Sequence, residues 1–231
     1  ANAGDSRSFV GVYVDGTVHV VYTSREDKPD LPDERQRITE AGGYVHIPLN
    51  LREDVPRAYY IDPEGRPRFG LAMSRTIGDW KVQGVIAEPI VDVLNVATIV
   101  NGAINNHTAA CKSQTSYTMR RNTYHDDDDA DCTPLHPSKV QIVAVSASDG
   151  MMDYLKPSEI AREFAISFFE DDSKHPFIVA EHLILKAAEG WDTDNYGQYR
   201  DDIAVSACRV ILNDKILEDG NRANEEDHDE L

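Results

Sequence analysis

Residues 140–147, running from Val140 through Ile142, Val143 and Val145 to Ala147, are almost unbroken in small and β-branched side chains. A run of that kind is a strand buried on both faces, so any fold for this chain must place packed layers on either side of it. Asp149 and Gly150 follow at once, and Asp153 stands three residues further on. An acid placed there is held at the rim of the core on rigid backbone, while the glycine permits a sharp exit. That geometry suits a metal ligand, and it suits equally an Asp that caps the turn into the next helix.

The chain has 231 residues, 41% of them hydrophobic, enough to bury the core of one domain. Its formal net charge is −18, which argues against a nucleic-acid backbone or an anionic membrane as partner. Much of the acid lies in two stretches, 126–131 and 214–231, so the remainder is only mildly acidic. No apolar run is long enough to span a bilayer as a helix. The three cysteines, Cys111, Cys132 and Cys208, lack metal-ligand spacing and suggest no disulfide framework, which points to a reducing compartment.

Phe9–Val14 and Thr17–Tyr22 flank Asp15 and Gly16, a strong hairpin signal, so an antiparallel sheet is expected. Pro32, Asp33 and Glu34 open a helix that ends at Ala41, Gly42 and Gly43. Residues 44–68 read as strand fragments and turns, Phe69–Trp80 as a short helix stopped by Gly78, and Glu88–Leu94 as a strand. Residues 95–138, rich in Ser, Thr and Asn, read as a partly disordered surface insertion with little to bury. The four aspartates 126–129 lack the interleaving of a calcium loop and read as a solvated acidic segment. Helices follow at Pro157–Phe169 and at Pro176–Glu189, the second stopped by Gly190, and a last strand starts after Asp201 and Asp202 and runs to Leu212. His46, His107, His125 and His136 fall in loops without metal spacing, and Asp79 and Asp153 read as turn and cap residues.

Asp5 in a tight turn, Asp149 after one core strand and Asp201 before another form a possible all-oxygen site, of the kind that prefers Mg²⁺ or Mn²⁺. Five ordered segments give that idea a family. Gly4-Asp5-Ser6-Arg7; Lys28-Pro29 with Glu34-Arg35, Arg37-Ile38 and Ala41-Gly42-Gly43; Leu71 through Ser74-Arg75 to Gly78-Asp79; Ser148-Asp149-Gly150 with Asp153; and Asp201-Asp202-Ile203-Ala204-Val205 resemble the motifs of the metal-dependent type 2C serine/threonine phosphatases. The resemblance covers residues 1–212 apart from the insertion. It implies an α+β fold, a sandwich of two antiparallel β-sheets flanked by α-helices. The domain would occupy 1–213, with the insertion at 95–138 and an acidic tail at 214–231.

The resemblance further implies a protein phosphatase that hydrolyses phosphoserine and phosphothreonine with a water activated by two or more Mg²⁺ or Mn²⁺ ions. By position Asp149, Asp201 and Asp5 match metal ligands, and a phosphoprotein is the partner; Arg75 is a candidate substrate contact, though an arginine in a packed turn is more often structural. A monomer with neither nucleic-acid nor membrane partners is expected. Two departures stand out. Asp202 replaces the Asn usual after the last ligand, and the family's Asp-Gly-His-Gly-Gly segment has no counterpart in these residues. The chain is therefore expected to be N-terminally incomplete and inactive by itself; the alternative is a catalytically inactive, phosphatase-like binding module. The family points to cytoplasm or nucleus, whereas the terminal His228-Asp229-Glu230-Leu231 and the Asn106-His107-Thr108 acceptor point to the endoplasmic reticulum lumen.

Overall fold

The computed structural model describes residues 1–50, 55–119 and 135–212, with residues 112–119 as backbone only. A first hairpin pairs β1 (Arg7–Val14) with β2 (Thr17–Thr23), turning through Asp15 and Gly16, both at positive φ, as a right-twisted hairpin requires. Helix α1 (Pro32–Glu40) and strands β3 (Tyr44–His46), β4 (Arg57–Ile61) and β5 (Pro67–Leu71) come next. After α2 (Val96–Met119) the chain runs through β6 (Gln141–Ala147), α3 (Asp149–Met152), α4 (Pro157–Phe169), α5 (Pro176–Asp194) and β7 (Val205–Val210). These elements make two antiparallel sheets, ordered β2-β1-β6-β7 and β3-β4-β5, with helices against them: the expected α+β class.

β6 is a central strand, and its period-2 alternation feeds two cores. Val143, Val145 and Ala147 pack with Ile160, Phe164 and Leu183 of α4 and α5. On the other face Val140 and Ile142 join Val12, Val14 and Val100 beneath α2. Each fully buried side chain of this size contributes about 1.5–3 kcal/mol. The smaller sheet has its own core of Ile38, Val45, Ala58, Val82 and Val85.

Several expectations are corrected. Part of the supposed insertion is the 24-residue helix α2, because Val96, Ile99, Val100, Ala103 and Ile104 form a helical stripe over the sheet. Asn95 Oδ1 accepts the Thr98 N–H at 3.1 Å at its start, and His107, on this helix and not in a loop, sets Nε2 3.2 Å from the Asp15 carboxylate. Phe69–Leu71 belong to a strand rather than a helix, since Gly70 and Leu71 pair with Tyr59 and Ala58. Of Glu88–Leu94 only Ile90 is paired, bridging Asn2. Helix α5 continues through Gly190, whose missing Cβ leaves room for the Tyr154 ring, 2.2 Å from where that atom would stand. Cys111 is disulfide-bonded, a single bridge that an odd count does not preclude, and Cys208 is free. No helix among the described residues is long and apolar enough to cross a membrane. The aspartates 126–129 and the tail 214–231 lie outside the described residues.

Candidate active site

Strand order brings the three expected acids together. β1 and β7 flank β6 antiparallel, with Arg7 opposite Ala147 and Ala147 opposite Val205. Residues just before β1, just after β6 and just before β7 therefore meet at one end of the sheet, and these are Asp5, Asp149 and Asp201. A hydrogen-bonded clamp sharpens the meeting. Ser148 Oγ donates to the Asp202 carbonyl at 2.8 Å and accepts the Ala204 N–H at 2.9 Å, while its own N–H reaches the Ala204 carbonyl at 3.0 Å. Gly150 lies so close under this segment that a Cβ would stand 2.5 Å from the Asp202 carbonyl oxygen, so only glycine fits.

The carboxylates sense one another. Burial pushes the Asp149 carboxyl above its ordinary range, and the charges of Asp5 and Asp201 push it further; the Gly150 N–H and Lys28 pull it back. Asp149 Oδ1 accepts that Gly150 N–H at 3.0 Å. Asp201 Oδ1 accepts the Asp202 N–H at 2.8 Å. Asp5 is buried and takes the Lys28 ammonium on Oδ2 at 2.7 Å.

Sequence reasoning missed two members of this group. Asp153, which is the cap expected at the end of α3, also has its carboxyl raised by burial, lowered by Lys28, and raised by Glu26, Asp201 and Asp5. The signal was its spacing, one helical turn past Asp149, with its N–H on the Asp149 carbonyl at 2.9 Å. Tyr199 is the other. The charge of Asp201 raises its phenol pKa first, then burial, then a hydrogen bond to Asp201. Its ring stands edge-on to Trp191, centroids 5.7 Å apart, and Trp191 stands edge-on to Tyr154 at 5.1 Å. Trp191 Nε1 donates to the Gly150 carbonyl at 2.6 Å, so this aromatic row supports the turn that carries Asp149. Asp194 ends α5, and it is Asp201 that leads into the last strand.

Arg75 is committed to partners of its own. Its Nε and Nη2 grip Glu34 at 3.0 and 2.6 Å, and its Nη1 donates to the Glu88 carbonyl at 2.8 Å. Asp79, at φ 54°, is the turn residue expected.

The donors at the sheet end are hard carboxylate oxygens, the right chemistry for Mg²⁺ or Mn²⁺. Their arrangement does not fit a closed site: among the described residues no three His, Cys, Asp or Glu side chains are grouped to hold an ion.

Comparison with known proteins agrees with the motifs. The family model for Protein phosphatase 2C matches residues 1–101. Probable protein phosphatase 2C 61 of Arabidopsis thaliana is 38% identical over 101 residues, which are 42% of this chain and 30% of that protein. Probable protein phosphatase 2C 73 of the same plant is 26% identical over 208 residues, covering 89% of this chain and 42% of that one. The crystal structure of serine-threonine phosphatase 2C from Toxoplasma gondii superposes with a TM-score of 0.54 at 20% identity, covering 89% of this chain and 52% of that one, a likeness of fold. The chain thus spans about a third to a half of the length of these relatives. With the ordered motifs and the fold, these matches support a PPM-type, protein phosphatase 2C family, whose model residues 1–101 match.

Proposed function

We propose that these residues are part of a metal-dependent protein serine/threonine phosphatase acting on phosphoserine and phosphothreonine in protein substrates. The observation that carries the reading is the convergence of Asp5, Asp149 and Asp201 at one end of the four-stranded sheet, together with the burial and, after it, the mutual repulsion that raise the Asp149 carboxyl. Burying like charges side by side costs stability, and a cation is the ordinary compensation. In this reading Asp149, Asp201 and Asp5 are ligands of Mg²⁺ or Mn²⁺, Asp153 and Tyr199 hold their surroundings, and Arg75 orients its loop rather than a phosphate.

A version of the protein extended to the length of its relatives is expected to release phosphate from a phosphopeptide only when Mn²⁺ or Mg²⁺ is present. Asp149→Asn should abolish turnover, and full activity of that variant, or in excess chelator, rejects the reading. The open ligand set favours a second reading for the 231 residues alone, a phosphatase-like binding module. Assayed by themselves they should be inactive, and metal-dependent phosphate release from them rejects that expectation. For location we propose cytoplasm or nucleus; the Cys111 disulfide supports the lumenal alternative. A secretory reporter ending in residues 214–231 tests the tail: it should be secreted, and retention that vanishes when Leu231 is deleted shows that the signal works.

A further inference from the structure

Asp5 is already engaged as it stands, by a single ammonium. Lys28 Nζ lies 2.7 Å from Asp5 Oδ2, with the two side chains only 29% and 8% exposed. Neither partner is free to wander. The Gly4 N–H donates to Asp27 Oδ2 at 3.1 Å, and the Asp27 N–H donates back to the Gly4 carbonyl at 3.0 Å. Asp5 and Lys28 are the next residues on the two sides of this reciprocal pair, so the backbone itself holds them opposite each other. Asp27 is in turn fully buried, gripped by Arg25 at 3.1 Å, with its carbonyl accepting the Ser74 N–H at 2.7 Å and hydroxyl at 2.9 Å.

An exposed ion pair contributes little, because two long side chains must be ordered for a screened attraction. Here the ordering is already done by the Gly4–Asp27 pairing. The ammonium also serves more than one acid, since it is among the groups that lower Asp149 and Asp153. A compact point charge with three donors performs for clustered carboxylates what a small bound cation performs.

We propose that Lys28 is the resident counter-cation of the carboxylates at this sheet end, so that a divalent ion gains Asp5 only by displacing the Lys28 ammonium. The inference rests on the reading of these acids as metal ligands, and it explains why the described residues do not already form a three-ligand group. Ion and ammonium repel at a separation of a few ångströms, where an effective dielectric near 20 leaves the interaction strong, so removing the lysine should raise affinity by about tenfold or more.

The test is calorimetric titration of Mn²⁺ into the 231-residue chain, with thermal melts in chelator, for the wild type, Lys28→Met and Lys28→Arg. Methionine keeps the stem and removes the charge; arginine keeps the charge and guards against a variant that merely fails to fold. The expected result is Mn²⁺ binding about tenfold tighter in Lys28→Met, a lower melting temperature for that variant in chelator, and no gain for Lys28→Arg. Equal or weaker binding in Lys28→Met overturns the exchange while leaving the metal reading standing. Equal gains in both variants also overturn it, because a lost contact rather than a lost charge is then responsible. Absence of Mn²⁺ binding in all three proteins also overturns the exchange, and the metal reading is then decided by the extended protein.

Discussion

The two sheets are held by opposite means. Around β6 the four-stranded sheet is clasped between apolar layers, with Phe9, Ile142, Val143, Ile160, Phe164 and Leu183 all buried. Around α1 the apolar core is small, and at its edge lies a fully buried carboxylate, Glu34. Glu34 Oε1 accepts Arg25 Nη2 at 2.8 Å and Arg75 Nη2 at 2.6 Å, while Oε2 accepts Arg37 Nη2 at 2.7 Å and Ser74 Oγ at 2.5 Å. Three guanidiniums from three segments thereby converge on one acid. Apolar packing is non-directional and tolerant, whereas a buried ion cluster holds only while every partner is present. The first region should lose stability in proportion to the volume removed, and the second should fail abruptly.

The largest effect is expected from Glu34→Ala, which strands three arginines: about 3–5 kcal/mol lost in urea unfolding. Glu34→Leu, although it restores volume, should cost nearly as much, and a mild cost for either variant removes the contrast. Next comes Leu183→Ala in α5, about 2–4 kcal/mol from lost transfer energy and cavity. Its companion Ile160→Val should cost only about 0.5–1.5 kcal/mol, the graded response that distinguishes a packed core.

Acid sharpens the comparison without mutation. Burial alone pushes the Glu34 carboxyl up, but hydrogen bonds from Arg37, Arg75 and Ser74 outweigh it and hold the pKa down at about 2, against 4.5 for an ordinary Glu. The unfolded chain therefore binds the proton more readily. The stability this supplies is complete above pH 4.5 and is lost as pH falls toward about 2. Amide exchange should show Ile38 losing protection across that window ahead of Phe164; simultaneous loss counts against a separately locked α1 region. The smallest effect belongs to the surface, where Lys186 and Glu159 are paired in solvent. Lys186→Ala should change stability by less than about 0.5 kcal/mol, and a larger loss gives the helices an electrostatic component they are not expected to have.

What could be read from the residues follows the same division. The hairpin, α1, β6 and α4 were legible because local signals and tertiary demand agree there: Asp15 and Gly16 at the turn, acid at the start of α1, Pro157 opening α4. The α2 stripe was equally present in Val96, Ile99, Val100, Ala103 and Ile104, but polar composition outweighed spacing in the reading. Phe69–Trp80 misled because a Gly-terminated apolar run is ambiguous between helix and strand until its partner β4 is known. The acids were identifiable one by one. Their convergence was not, since it arises from β1 and β7 flanking β6, a long-range pairing that no local pattern encodes. Lys28 was visible within a motif, yet its contact with Asp5 depends on the Gly4–Asp27 pairing across 23 residues.

The aromatic row beside Gly150 has an optical consequence. The chain contains two tryptophans. Trp80 is 81% exposed and emits as an indole in water, whereas Trp191 has its N–H committed to the Gly150 carbonyl and its ring between Tyr154 and Tyr199. Replacing Trp80 by Phe leaves a single tryptophan, selectively excited near the red edge of its absorption, one hydrogen bond from the turn that carries Asp149. Its emission maximum and its quenching by iodide then report, without a label, whether that turn is closed, and they do so on the nanosecond clock of the excited state.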